Sequence, residues 1–126
     1  MSWKNLDVQC AKTGDEIGEP GSKECEKLIR EALAILEEQG VYAMFLKLAA
    51  SQKGSALKKP LINLLKESLP EGEGLFQKDI LFALRDLAQD LDQLILARDL
   101  LRQSLIYGLA HTRLATDKEE RQGGES

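Results

Sequence analysis

An all-α fold, a small helical bundle with a long C-terminal helix, is what this sequence predicts, and three observations predict it. The apolar content is aliphatic: aromatics are 5% of the 126 residues, and Val8 and Val41 are the only valines. Leucine, isoleucine and alanine fill helix faces, whereas sheets favour β-branched and aromatic side chains. Apolar residues recur at helical spacing almost throughout. From Leu75 to Ala115 there is no proline and the only glycine is Gly108. The length is that of one domain, long enough to bury a true core.

Residues 1–21 are expected to be an irregular arm, since Gly14, Gly18, Pro20 and Gly21 interrupt a polar stretch. Trp3, Leu6 and Val8 either dock on the domain or stay disordered. Ser22 is a good N-cap, and Glu24 and Glu26 suit the positive end of a first helix. Leu28, Ile29, Ala32, Leu33 and Leu36 line one face of it, with Lys27, Arg30, Glu31, Glu37 and Glu38 on the other. Gly40 either ends this helix or lies inside a longer one. Val41 to Ala50 is apolar almost all round, as in a helix buried on several sides or facing both its core and a partner.

A third helix is expected to start at Pro60, with Leu61, Leu64 and Leu65 inward, and to end before Pro70. Glu71-Gly-Glu-Gly74 reads as a loop. Beyond it, Ile80, Leu84, Leu87, Leu91, Leu94, Arg98, Leu101 and Leu105 form one stripe. Leu81, Ala88, Ile95, Arg102 and Leu109 form a second, so that together they make a wide bundle-type face. These residues are either one helix of about 60 Å, at about 1.5 Å per residue, or two with a break at Asp90–Asp92. The helical domain is thus expected over 22–116, with 117–126 a disordered tail.

The formal net charge is -4, but it is unevenly spread. No Asp or Glu occurs from Gly40 to Lys66, where Lys47, Lys53, Lys58, Lys59 and Lys66 all fall. Such a section either holds a polyanion locally or is a solvated lysine-rich surface. Cys10 and Cys25 lack any metal-type spacing. With no apolar leader and no run near the ~20 residues that cross a bilayer, they read as free thiols of a cytoplasmic protein that does not enter membranes.

No catalytic, metal or cofactor site emerges. His111 is the only histidine, with Ser104 two turns earlier and no oxyanion-hole element. Pairs such as Asp86/Asp90 and Asp92/Asp99 would need Glu-x-x-His motifs to make a di-metal bundle, and one histidine cannot supply them. Gly72 and Gly74 sit between glutamates, which repel phosphate. Arg98 and Arg102 stand one turn apart where the stripes otherwise carry leucine or isoleucine. Either the stripe turns to the surface there, with the arginines snorkelling, or this face meets a phosphate backbone or an acidic partner, joined by Arg113.

The segment Glu38-Gln-Gly-Val-Tyr-Ala-Met-Phe-Leu46, after an amphipathic helix and before a lysine-bearing linker and a long C-terminal helix, carries a resemblance. Over residues 24–115 the chain resembles the small helical subunits of multi-subunit CRISPR effector complexes of the Cmr/Csm type. The resemblance implies a non-catalytic subunit of antiviral defence that touches neighbouring subunits and lines the path of guide RNA and target with basic residues. Lys47, Lys53, Lys58, Lys59, Arg98 and Arg102 are the residues that would do so here. The alternative is a helical adaptor or regulatory domain that binds protein, through self-association or otherwise, without nucleic acid.

Overall fold

The computed structural model describes residues 6–69 and 79–124, which form six helices and, among those residues, no strand. In chain order these are α1 Leu6–Gly18, α2 Lys23–Gln39, α3 Val41–Ala49, α4 Ser55–Ser68, α5 Ile80–Ala88 and α6 Leu91–Gly124. The all-α bundle with a long C-terminal helix is therefore the fold. None of these helices is long and apolar enough to cross a membrane.

The expected irregular arm at 1–21 is corrected: Leu6–Gly18 is a helix built into the core. Cys10, Thr13, Gly14, Ile17 and Gly18 are buried on one side of it, at the spacing of one helix face. Gly14 and Gly18 are there for close approach. A Cβ on Gly14 would lie 2.5 Å from the Tyr107 Cβ and 2.9 Å from the Gly108 backbone nitrogen. One on Gly18 would lie 2.6 Å from the Gly108 carbonyl oxygen. Gly108 in turn leaves room for Ile17. Helix propensity, which counts two glycines as breakers, is overridden by this packing. Trp3, in the same expected arm, lies outside the described residues.

Ser22 caps α2 as expected, its hydroxyl accepting from the Cys25 amide at 3.0 Å. Ile29, Ala32 and Leu36 are buried. Gly40 ends the helix at φ +99°, a conformation that disfavours side chains, and its amide bonds back to the carbonyls of Ile35 and Leu36. α3 then starts at once in a new direction, burying Val41, Met44, Phe45 and Leu48.

α4 begins at Ser55 and not at Pro60. The amides of Leu57 and Lys58 bond to the Gly54 carbonyl at 3.1 and 3.0 Å, so the first turn forms ahead of the proline. Pro60 is buried inside the helix beside Leu57, Leu61, Leu64 and Leu65. The expected loop at Glu71–Gly74 lies outside the described residues.

The open choice for the C-terminal half resolves as two helices. Asp90 caps α6, its carboxylate accepting from the Gln93 amide at 3.2 Å and from the Gln93 side chain at 2.8 Å. These bonds, the side-chain one foremost, hold the Asp90 carboxyl below the usual carboxylate range. Stripes counted straight through the break match the burial only in part. Leu84, Leu87, Leu101 and Leu105 are buried as expected, but Leu91 is 67% exposed and Ile95 51%. Ala88, Arg98 and Arg102 are also exposed, and Leu94 and Leu109 are half-buried. The side chains of Ile80 and Leu81 lie outside the described part. α6 instead buries Ala97, Leu100, Ser104, Gly108 and Thr112.

The expected disordered tail is likewise corrected over residues 117–124, where α6 continues to Gly124; the last two residues lie outside the described part. Thr116 to Gln122 holds good helix formers and no proline, and each added residue extends an existing ladder by one bond. α6 is 34 residues, about 50 Å at ~1.5 Å per residue. It touches every other helix and is the spine of the bundle. α1 runs parallel to it, with Cys10 at Leu100 and Gly18 at Thr112. α2 runs antiparallel, with Glu26 at Arg113 and Glu37 at Arg102.

Candidate functional site

The two arginines that interrupt the apolar stripe converge on one carboxylate. Arg102 Nε donates to Glu37 Oε1. Arg98 comes within 3.8 Å of Glu37 Oε2 and donates to the Glu37 carbonyl oxygen at 3.4 Å. Arg113 Nε donates to Glu26 Oε1 at 3.2 Å, where Arg30 also pairs at 2.6 Å. Glu26 and Glu37 are eleven residues apart on α2, and Arg102 and Arg113 are eleven apart on α6. Eleven residues make three turns, so both pairs align across the antiparallel helices. The side chains of Arg98 and Arg102 are 48% and 52% exposed, so the stripe does turn to the surface there. Pairs this exposed contribute about 0–1 kcal/mol each and serve mainly to set register.

The lysines of the acid-free section lie elsewhere. Lys47 and Lys59 are exposed and Lys58 is half-buried, around the α3–α4 corner. Lys53 pairs with Glu24 at 3.3 Å. Glu24 begins α2 and Glu37 ends it, about 20 Å apart at ~1.5 Å per residue. Lys53 and the arginine pair therefore sit at opposite ends of α2, and the structure does not join them into one continuous track.

The groups with chemical potential are each held by a structural contact. His111 Nδ1 is 3.5 Å from Asp15 Oδ1, an α6–α1 surface pair. Ser104, fully buried, donates to the Leu100 carbonyl of its own helix at 2.9 Å and does not meet His111. Thr112 bonds to the Gly108 and Gly18 carbonyls, tying α6 to α1. The Tyr107 hydroxyl donates to Asp7 Oδ1 at 2.5 Å, and this bond raises the phenol above the ordinary tyrosine value. Cys10 is 2% exposed, with Sγ 3.5 Å from the Leu100 carbonyl oxygen, and burial pushes its thiol up. Cys25 is half-buried and borders a cleft of about 240 Å³ walled by Ile17, Pro20, Leu28 and Leu57. Among the described residues no three of His, Cys, Asp and Glu come together as a metal site.

What remains is a surface. Leu91 and Ile95 lie one turn apart on α6, and both are more than half exposed. Arg98 and Arg102 continue the same face, since residues three, four and seven apart share one side of a helix. Phe82 on α5 is 50% exposed and Leu46 on α3 41%. The periodicity of the sequence assigns Leu91 and Ile95 to the core, and the structure leaves both exposed at the start of α6. A legible signal for the α1 core was present in Cys10-x3-Gly14-x3-Gly18, matched by Ser104-x3-Gly108-x3-Thr112. No family model, curated protein or solved structure matches this chain.

Proposed function

We propose that this protein is a non-catalytic helical subunit that acts by binding a protein neighbour through the start of α6. The observation that carries the reading is the exposure of Leu91 and Ile95, 67% and 51%, side by side at the start of the helix that contacts all five others. A helical spine whose first turns present apolar side chains to solvent offers what an interface core needs, namely adjacent desolvatable groups. Among the described residues His111 pairs with Asp15, Ser104 and Cys10 are buried against the Leu100 carbonyl, and Ser104 does not meet His111. The resemblance to small helical subunits of CRISPR effector complexes points to the same kind of role, a subunit within a larger assembly.

The test is co-expression of the full chain with the proteins encoded beside it. Leu91→Ser/Ile95→Ser should lose co-purification while the helical spectrum and melting temperature stay unchanged. Retention of every partner by that variant would overturn the reading.

A second reading, binding of an RNA or target backbone, is favoured by one observation: Lys47, Lys58 and Lys59 lie at one corner in a section without carboxylates. Arg98 and Arg102 support it less, because Glu37 already neutralises part of their charge. Lys58→Glu/Lys59→Glu should then weaken RNA binding, and the salt slope of binding should shrink by roughly 0.7–0.9 per lost contact. An unchanged slope would exclude these lysines.

A further inference from the structure

The exposed apolar pair on α6 has a charged setting that specifies its partner. Ile95 has Leu91 and Asp92 one turn before it and Asp99 one turn after, all neighbours on the helix surface. Asp92 and Asp99 are exposed, and Asp90 stands at the helix start with its carboxyl held ionised. Arg98, itself one turn after Ile95, and Arg102 continue the same face, but their two guanidiniums are met by Glu37 and retain only one net positive charge. Glu38, next in α2, is exposed as well. Leu91 and Ile95 therefore lie beside a rim in which carboxylates outnumber uncompensated guanidiniums.

Resting on the protein-binding reading above, we infer that this face takes a basic amphipathic segment, a helix with leucine-type residues on one side flanked by lysine or arginine. Two apolar side chains at i and i+4 match the spacing by which an amphipathic helix presents its own anchors. The acidic rim attracts cations at the edge of the contact and rejects a segment edged with carboxylates, since like charges brought together across an interface cost several kcal/mol. Burial of Leu91 and Ile95 supplies the attraction, and the rim sets the sign of the partner.

The probe is a pair of short amphipathic helical peptides, one of leucine and lysine and one of leucine and glutamate, with a leucine–glutamine peptide as neutral reference. Binding is followed on the full chain by amide chemical shifts. The leucine–lysine peptide should shift resonances over residues 91–99 and bind at least about tenfold more tightly than the leucine–glutamate one. That advantage should fall as salt is raised toward and beyond physiological strength. Leu91→Ser/Ile95→Ser should abolish the shifts, and Asp92→Asn/Asp99→Asn should collapse the discrimination while leaving residual binding. Equal binding of all three peptides at residues 91–99 would overturn the basic-partner assignment and leave the docking reading intact. No binding of any peptide at this face would overturn both. Self-association of the free chain through Leu91 and Ile95 would also overturn it, making the occupant a second copy.

Discussion

Gly14→Ala tests the packing of α1 with a sign that differs between local and tertiary reasoning. Gly14 lies inside α1, where glycine is about 1 kcal/mol less favourable than alanine, so helix propensity alone predicts stabilisation. The structure predicts the reverse. The new Cβ would sit 2.5 Å from the Tyr107 Cβ, 2.9 Å from the Gly108 nitrogen and 3.1 Å from the Ser104 carbonyl oxygen. Carbon atoms pack best at about 3.5–4.0 Å, so α1 must withdraw from α6 by roughly an ångström. Two of the three neighbours are backbone atoms and cannot rotate away. Overpacking of this kind costs about 1–3 kcal/mol. The withdrawal also loosens the Thr112–Gly18 and Cys10–Leu100 contacts of the same seam. Set against a propensity gain near 1 kcal/mol, the net expectation is destabilisation of up to about 2 kcal/mol. The control is Lys12, exposed on the same helix, where alanine should be more stable than glycine by about 1 kcal/mol. Urea unfolding of the four variants measures both differences. If alanine stabilises at position 14 as it does at position 12, then α1 does not pack on α6 as described.

Further outcomes follow from burial, chemistry and charge. Leu101→Ala should cost about 2–5 kcal/mol in urea melts and Leu91→Ala under about 0.5, since Leu101 is 0% exposed and Leu91 67%; equal losses would refute the burial pattern of α6. A thiol reagent should label Cys25, which borders an open cleft, well before Cys10, which is buried with its thiolate disfavoured; labelling in the opposite order would contradict the burial. The Tyr107 phenol should titrate above the ordinary tyrosine value, because its hydroxyl donates to Asp7. Its folded value lies above its unfolded one, so the stabilisation is complete below about pH 10 and disappears as pH rises through the folded value. An absorbance titration of phenolate should show the transition moving down in Asp7→Asn, and no movement would remove that bond from the account.

By itself the sequence determined the helical class, the cap at Ser22 and the inward faces of α2 and α4, and it held the stop at Gly40 as one of two alternatives. Each depends on residues within a few positions of one another, and local chemistry is what a linear pattern records. It also held the Asp90 break as one of two alternatives, and only the bonds from Gln93 to Asp90 decided between them. The tertiary structure decided the rest. Gly14 and Gly18 read as helix breakers until a second helix lies close enough to need them, and Gly108 supplies that helix from about ninety positions away. Leu91 and Ile95 fit a core stripe, yet α6 turns Ala97, Leu100, Leu101 and Leu105 to its neighbours and leaves both exposed. Arg98 and Arg102 look like a site for an external anion until α2 brings Glu37 between them. In each case the deciding partner is remote along the chain, and proximity in space is a property of the packed helices that local periodicity does not encode.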